Sequence, residues 1–280
     1  MSIEISNNPH EIIIEPPSKF MSLNLKEVWE YKDLLFFLAW RDIKIKYKQT
    51  LTGILSVTAQ PLISMVIYTV VFSVFAKMPS DGIPYPVFFL AAFIPWILFS
   101  SALNTMTRSI VTNANIIKKV YFPRLITPLE SVFPALLDFC ISFVILMIVA
   151  ALFGYYPDIR LIFLPVFICY TIMVIMGIGL ILAALYSKYR DAGFLATIIT
   201  QVGMYLTPVV YPASLIPASL KAFYYLNPMV SIIDGFRWMI IGLPISGGWY
   251  NGISLISTIS MLILGLYYFR HAENTFADVS

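Results

Sequence analysis

Residues 126–153 read ITPLESVFPALLDFCISFVILMIVAALF, an apolar run whose charged side chains are Glu130 and Asp138. A helix rises about 1.5 Å per residue, so about 20 apolar residues cross the roughly 30 Å of hydrocarbon in a bilayer. A run that crosses must be a helix, because lipid offers no hydrogen-bond partner to an unpaired backbone amide. The stretch therefore predicts an all-α integral membrane protein.

The composition of the whole chain supports this fold class. Hydrophobic types make up 59% of the 280 residues and charged types 12%, against roughly 45–50% and about 25% in an average soluble chain. This balance excludes an ordinary cytoplasmic enzyme, a disordered protein and a secreted disulfide scaffold. Cys140 and Cys169 lie in apolar runs, which is typical of small hydrophobic residues. The net charge of +3 is too small to indicate nucleic acid as a partner.

Six apolar runs predict six transmembrane helices. The fifth run is the shortest, and Gly203 and Pro208 within it predict a broken outer end. The predicted spans are Ile54–Ala76, Tyr85–Met106, Ile126–Phe153, Leu161–Tyr186, Phe194–Tyr211 and Tyr250–Phe269.

The distribution of Lys and Arg predicts the orientation. One set of flanks carries 14 of the 18 basic residues, and the positive-inside rule places that set in the cytoplasm. Both termini are then cytoplasmic, and no signal peptide precedes the first span. We expect a cytoplasmic segment over residues 1–53, a transmembrane domain over 54–269 and a cytoplasmic tail over 270–280.

Two inner segments have a pattern that lipid contact alone does not explain. Leu25–Trp40 places four apolar residues at helical spacing, with charged residues on the other side, which predicts an amphipathic helix at the membrane interface. The helix either anchors the chain or docks a cytosolic partner, and its anionic face favours docking. The inner loop 107–125 predicts a short helix that stops before Pro123 and transmits force from a soluble motor.

The outer segment 212–248 is too long for a turn and too apolar for a solvated loop. We expect two short re-entrant helices between spans five and six, which are tolerated only where protein or a wet cavity surrounds them. The alternative is an amphipathic helix on the outer surface.

Within the spans, Asp138 requires an ion pair, a proton or a wet cavity, and we favour a structural pair over ion coupling.

Aromatic rings follow one face on each of the first two spans. Such rings either face lipid or line a path for a sugar polymer, because flat rings bind the C–H faces of sugars without removing water from every hydroxyl. The residues are Tyr68, Phe72 and Phe75 on the first span and Phe89, Phe93, Trp96 and Phe99 on the second.

The sequence contains no recognisable motif for catalysis or for nucleotide or metal binding. It contains no nucleotide-binding P-loop, no metal-ligand spacing, no Ser/His/Asp arrangement and no inverted repeat of the secondary-transporter kind. We therefore expect no catalytic residue and no metal or cofactor in this chain.

Four blocks in order along residues 41–242 resemble the permease subunit of type 2 ABC exporters, most closely those that export O-antigen, capsule and teichoic-acid polysaccharides. An aromatic residue, usually Trp, often stands in that family where this chain has Ser56, which argues against an inner-gate ring there. The blocks are Arg41-Asp-Ile-Lys-Ile-Lys-Tyr-Lys-Gln-Thr50 with Gly53 and Gln60-Pro61; Asn115-Ile-Ile-Lys-Lys-Val-Tyr-Phe-Pro-Arg124 with Pro128-Leu129; Tyr189-Arg-Asp191 with Gln201 and Thr207-Pro-Val-Val-Tyr-Pro212; and Asn227-Pro228 with Gly235-Phe-Arg237 and Gly242.

The resemblance implies a homodimer in the inner membrane, with two copies of a separate ATPase that bind ATP and Mg²⁺. It implies a polysaccharide on a polyprenyl diphosphate as the substrate, with its path along the subunit interface, and we expect the seven rings to line that path. The ATPase would dock on Trp29, Glu30, Asp33, Asn115, Lys118, Lys119 and Tyr121, and the outer gate would include Tyr211, Asn227 and Arg237. The alternatives are a type 2 exporter of a drug or lipid and, less favoured, a membrane enzyme acting on lipid-linked sugars or a secondary transporter.

Overall fold

The computed structural model describes residues 25–48 and 51–273, with side chains over 28–48 and 55–273. The predictions for 1–24, 49–50 and the tail 274–280 lie outside these residues. The described residues form helices and no strand. The helices are α1 (Leu25–Glu30), α2 (Lys32–Lys48), α3 (Leu51–Tyr68, continued by a π-helix over Thr69–Phe75), α4 (Tyr85–Thr112), α5 (Ala114–Ile117), α6 (Ile126–Glu130), α7 (Val132–Leu152), α8 (Leu164–Lys188), α9 (Ala192–Leu206), α10 (Ala218–Tyr224), α11 (Pro228–Ile241) and α12 (Tyr250–Glu273), with 3-10 turns over Ile159–Phe163 and Ala213–Leu215.

Five helical stretches are long and apolar enough to cross a membrane, which confirms an all-α, multi-pass membrane fold. They are Leu55–Phe75, Tyr85–Thr112, Ile126–Leu152, Ile159–Lys188 and Tyr250–Glu273.

The predicted span Phe194–Tyr211 corresponds to a shorter helix. α9 has 15 residues, about 22 Å at 1.5 Å per residue, which is less than the hydrocarbon thickness. The helix ends at Leu206, two residues before Pro208, so the break predicted at its outer end is present. By length alone the structure therefore supports five crossings.

The third predicted span is divided near its inner end. α6 stops at Glu130 and α7 begins at Val132, with Pro134 in the first turn of α7 where a backbone N–H has no helical partner to lose. α7 alone has 21 residues and can cross the bilayer. Asp138 therefore lies in the second turn of α7, about 9 Å from its start.

α4 forms the centre of the molecule. Its residues are buried over most of its length, and α7, α8, α9 and α11 pack around it. α11 is also buried on nearly all sides, with only Trp238 partly exposed. This burial does not fit an amphipathic helix lying on the outer surface.

α8 and α12 approach each other through glycine. A Cβ atom on Gly265 would lie 2.3 Å from the carbonyl oxygen of Gly177, so the two backbones are in contact at this crossing. Small residues allow such close approach in membranes, where packing between backbones replaces a hydrophobic driving force.

The predicted interfacial helix differs in extent. It is broken at Tyr31 into α1 and α2, and α2 continues beyond Trp40 through the basic run to Lys48. Trp29, Phe36 and Trp40 are exposed, as expected for a face in the headgroup region. Leu38 on another face of α2 is buried against protein.

Candidate functional site

The two segments predicted for docking form one unit. Leu38 on α2 is buried against Phe122 and Ile126, in a small core separate from the main one. We call α1, α2, α5 and residues 113–126 the inner unit. Partly buried side chains from both segments surround this core: Val28, Tyr31, Leu34, Leu35, Ile116 and Ile117.

A polar chain links the inner unit to the base of the third span. The Nη2 atom of Arg41 donates to Oδ1 of Asn113 at 2.8 Å, and Nδ2 of Asn113 donates to Oε1 of Glu130 at 2.9 Å. Arg41 also pairs with Asp42 at 2.7 Å. Asn113 and Glu130 are buried, so these bonds give partners to the Asn113 amide and to one carboxylate oxygen of Glu130, groups that have no access to water.

A second link joins the end of α2 to α7. The ammonium group of Lys46 pairs with Asp138, and the hydroxyl of Tyr47 donates to Oδ1 of Asp138 at 2.5 Å. Burial, and then the hydrogen bond to Asp138, raise the pKa of Tyr47, so its hydroxyl stays protonated as a donor. A structural partner for Asp138 was predicted, and the structure confirms it.

All seven residues predicted to dock an ATPase are exposed, so they are available to a partner. α5 is a helix of 4 residues that ends at Ile117, so the predicted helix is present but shorter than expected. Docking itself stays a prediction. The exposed residues are Trp29, Glu30 and Asp33 on α1 and α2, Asn115 on α5, and Lys118, Lys119 and Tyr121 just after it.

Four of the predicted path rings stack into a ladder between α3 and α4. The ring centroid of Tyr68 lies 5.6 Å from that of Phe72 and 4.7 Å from that of Phe89. Phe89 stacks in turn on Phe93 at 4.8 Å. We call Phe72, Tyr68, Phe89 and Phe93 the ring ladder.

The rings differ in exposure. Phe89 and Phe93 are buried in the single chain, as are Trp96 and Phe99, whose centroids lie 5.1 Å apart. α9 covers Trp96, because a Cβ atom on Gly203 would lie 3.1 Å from its ring. Path lining by the four α4 rings stays a prediction, and it requires a neighbouring helix to move away from them.

On the first span, Tyr68 and Phe72 are half-buried at the edge of the ladder, and Phe75 is 76% exposed. The hydroxyls of Tyr68 and Tyr205 are 3.3 Å apart, so α9 adds a tyrosine to the exposed edge. Sequence reasoning did not single out Tyr205. Its position four residues after Gln201, near the outer end of α9, was the available signal.

Of the three residues predicted for an outer gate, Tyr211 lies in the segment that follows α9, and Asn227 and Arg237 contact that segment. The hydroxyl of Tyr211 donates to the carbonyl of Tyr205 at 3.1 Å and accepts from Tyr224 at 3.1 Å. Nδ2 of Asn227 donates to Oγ1 of Thr207 at 2.8 Å, while its Oδ1 accepts from the first turn of α11. Asn227 therefore caps α11 and fixes the end of α9 at once.

Arg237 connects several parts of this outer region. It is 3% exposed, and its guanidinium carbon lies 3.6 Å from the centroid of the Phe88 ring. It donates to the backbone carbonyls of Val209 at 3.0 Å, Tyr211 at 3.4 Å and Phe88 at 3.4 Å. We call these four residues the outer clasp, because one side chain ties the broken segment to the outer end of α4.

A cavity of about 320 Å³ lies beside the outer clasp. The buried carboxylate of Asp234 accepts from the hydroxyl of Tyr225 at 2.7 Å, and Ser214 donates to Asp81 at 3.0 Å. Within the described part of the chain, no group of three or more His, Cys, Asp or Glu side chains could hold a metal ion. The cavity is lined by Asp81, Phe88, Pro212, Ala213, Ser214, Asp234, Arg237, Leu243, Pro244 and Ser246.

Comparison with known proteins places these features in a family. The chain is 27% identical over 263 residues to the O-antigen export system permease protein RfbA of Klebsiella pneumoniae, covering 92% of this chain and 100% of that protein. It is 26% identical over 216 residues to RfbA of Myxococcus xanthus, covering 76% of this chain and 82% of that protein. It is 24% identical over 239 residues to the polysialic acid transport protein KpsM of Escherichia coli, covering 83% and 91%.

A family model described as ABC-2 type transporter matches residues 33–241, from the start of α2 to the end of α11. The match includes the ring ladder, the outer clasp and the candidate docking residues from Asp33 onward, whereas Trp29 and Glu30 lie before it. The resemblance drawn from the four sequence blocks is thereby confirmed, and the chain is a transport protein rather than an enzyme. This chain belongs to the ABC-2 type transporter family.

Proposed function

We propose that this chain is the transmembrane subunit of an ATP-driven exporter that moves a polysaccharide out of the cytoplasm. The observation that carries the proposal is its similarity over nearly the whole length to permeases named for export of O-antigen and for transport of polysialic acid. These are two chemically different glycans, so the shared feature is a long sugar polymer. We infer a glycan carried on polyprenyl diphosphate, of the O-antigen, capsule or teichoic-acid type.

A separate ABC ATPase, which binds ATP and Mg²⁺, would supply the energy. The inner unit supports this partner, because its seven candidate docking residues are exposed while its core is buried. Arg41 and Lys46 connect the inner unit to α6 and α7, so a push from below would reach the bundle. Two ATPase copies would serve two copies of this chain.

The homodimer would place the glycan path at the seam between two chains. α3 supports this arrangement, because only 6% of its span is buried within the single chain. The half-buried Tyr68 and Phe72, with the exposed Tyr205, lie at the edge of α3 and α9. Facing copies of this edge would enclose rings on both sides, a surface suited to sliding sugar polymers.

We also propose that α9 and the non-helical residues after it cross the membrane together as a sixth span. α10 and α11 would be the re-entrant helices at the outer mouth. The burial of α11 supports this, since re-entrant backbone is tolerated where protein surrounds it. With six crossings, both termini lie in the cytoplasm and the protein spans the inner membrane.

The test is deletion of the gene in the source organism, followed by complementation. We expect surface polysaccharide to disappear while lipid-linked glycan accumulates inside, and the intact gene to restore export. Quantitative blotting of surface glycan and extraction of lipid-linked intermediates measure both. Unchanged surface glycan together with altered drug efflux or lipid distribution would favour the drug or lipid exporter instead.

A second experiment tests the ring ladder. Tyr68→Ala with Phe72→Ala removes the two rings that reach the surface, so we expect export to fall about tenfold with the ATPase still bound, as stacking lost at two sites predicts. Val144→Ala with Ile148→Ala, both exposed on α7, is the matched control. Unchanged surface glycan in the ring variant would mean that these rings face lipid and do not line the glycan path.

A further inference from the structure

The burial of α4 changes about halfway along the helix. Residues 87–96 are buried on every side, whereas from residue 97 onward the helix exposes one strip. The strip is polar in an otherwise apolar helix, with exposed or half-buried residues recurring three to four positions apart, as one helix face requires. Its polar members are Ser100, Ser101, Asn104, Thr105, Arg108 and Thr112.

α9 extends this strip. Nδ2 of Asn104 lies 3.4 Å from Oγ1 of Thr200, which joins the two helices at the level of the strip. The next residue, Gln201, is exposed, and its amide makes no hydrogen bond to the described protein. The polar surface is therefore a seam between α4 and α9, and we call it the inner polar seam.

Lipid contact does not account for the inner polar seam. Thr105 satisfies its hydroxyl by donating to the carbonyl of Ser101 at 2.8 Å, as hydroxyls in membrane helices commonly do. Gln201, within α9, has no such partner among the described residues. Arg108 lies just beyond the predicted span Tyr85–Met106, at the inner end of the seam, where it is exposed and has no ion pair or hydrogen bond among residues 25–48 and 51–273. These groups need water or a ligand.

We propose that the inner polar seam binds the phosphate-bearing head of the lipid-linked glycan, with Arg108 holding the diphosphate. The amide oxygen of Asn104 accepts from hydroxyls of the first sugars, because its N–H groups already donate to Ser100 and Thr200. Gln201 donates to hydroxyls of the same sugars. This inference rests on the proposed function and deepens it, because it assigns the charged end of the substrate to one place. A guanidinium forms paired hydrogen bonds with phosphate oxygens, and an unpaired Arg108 is available to do so.

The seam complements the ring ladder. Stacked rings suit the neutral C–H faces of a moving polymer, whereas the seam offers amides and a positive charge. The two surfaces lie along the same helix, with the rings toward Tyr85 and Arg108 near its other end. The substrate would engage the seam first and the rings afterwards.

The test uses the whole exporter, this chain with its ATPase, in lipid nanodiscs. The probe is a short oligosaccharide on polyprenyl diphosphate, and the readout is the probe concentration that half-stimulates ATP hydrolysis. We expect Arg108→Gln to raise that concentration about tenfold, as loss of a charge-assisted hydrogen bond predicts, and Arg108→Lys to restore part of it. Arg270→Gln removes one arginine at the end of α12 and should leave it unchanged.

Phospholipid phosphate offers the same chemistry, so the assay is run in phosphatidylcholine and in phosphatidylglycerol nanodiscs. The proposal expects the Arg108→Gln effect in both lipids. An effect confined to phosphatidylglycerol would assign Arg108 to the bilayer and overturn the proposal. Failure of the intact complex to respond to the probe counts against the proposed function, whereas an intact response with unchanged Arg108→Gln counts against the seam alone.

A labelling experiment keeps the test independent of the folding of Arg108→Gln. With Cys140 and Cys169 replaced by Ala, Ser101→Cys should react with a charged maleimide, and the probe should slow that reaction about tenfold if it occupies the seam. Val144→Cys, on the exposed face of α7, should not react. An unreactive Ser101→Cys, or a reaction that the probe does not slow, would overturn the proposal.

Discussion

The inner unit and the outer clasp are both built from short helices, yet they are held in opposite ways. The inner unit has its own small core around Leu38 and joins the bundle through polar contacts of Arg41 and Lys46 and apolar contacts such as that of Phe36 with Phe133. The outer clasp lies within the main core, where Arg237 is buried and bonded to three backbone carbonyls. The first arrangement allows movement as a body, and the second fixes one segment to α4.

This difference fits the direction in which force would travel. A motor below the membrane needs a part that it can move without unfolding the bundle, and a unit with a small core of its own provides it. The outer end needs a segment that moves together with α4. Tilting of α4 would therefore carry Val209 and Tyr211 with it, because Arg237 bonds to both of them and to Phe88.

Removal of the outer clasp should have the largest effect. Arg237→Ala removes the side-chain donor to the carbonyls of Val209 and Tyr211 and the buried contact with the Phe88 ring, so we expect the free energy of unfolding to fall by about 3 kcal/mol or more. Thermal unfolding of the purified chain in detergent measures it. Arg270→Ala removes an arginine that is about half exposed, and it should stay within about 0.5 kcal/mol of the original. Equal losses in the two variants would contradict a special role for the clasp.

Damage to the core of the inner unit should be next in size but local. Leu38→Ala removes a buried side chain, at a cost of about 2–3 kcal/mol, within the range for such truncations. Hydrogen exchange should quicken over residues 25–48 and stay unchanged over 85–112. Leu55→Ala, exposed on α3, is the control. Faster exchange in α4 as well would mean that the inner unit is not separate from the main core.

Charge reversal at the docking surface should alter assembly without altering the fold. Lys118→Glu with Lys119→Glu places four units of charge change on an exposed turn, so we expect ATPase affinity to fall about tenfold or more. Co-purification and titration with the ATPase measure this loss. Lys188→Glu with Arg190→Glu makes the same change on another exposed turn. Similar losses in both variants would point to net charge rather than to a docking site.

The smallest effect should come from the link between α2 and α7. Asp138→Asn removes the ion pair with Lys46, whose side chain is 36% exposed, and keeps an acceptor for Tyr47. We expect a loss of about 1 kcal/mol or less, since Lys46 can turn to water. Asp158→Asn breaks a more exposed pair with Arg160 and serves as control. A loss of several kcal/mol at Asp138 would show that the inner unit is fastened as firmly as the clasp.

Five of the six predicted spans were predictable because the length of an apolar run decides whether it crosses a membrane. The end of α9 was predictable for a related reason, since Pro208 cannot continue a helix. The break at Ser131 was missed, because both parts of that run are equally apolar. Lys46 could not be assigned to Asp138, because the pair joins residues 92 apart and no sequence pattern encodes that contact.

The faces of α4 show a deeper limit. Helical spacing correctly grouped Phe89 with Phe93, but it could not show that this face is covered. A helix that is apolar all round gives no preferred side, so burial depends on which helices surround it. The polar strip that contains Asn104 and Arg108 was equally visible in the sequence. Its meaning needed the observation that the rest of α4 is enclosed.

The contact between Gly177 and Gly265 limits which substitutions the interface between α8 and α12 tolerates. Even one methyl group on Gly265 would collide with backbone rather than with a side chain that could turn aside. Lipid tails would fill the widened gap, and no hydrophobic driving force would restore the contact between the two helices. Because neither glycine has a side chain, the two backbones stay in contact and lipid is excluded from the interface between α8 and α12.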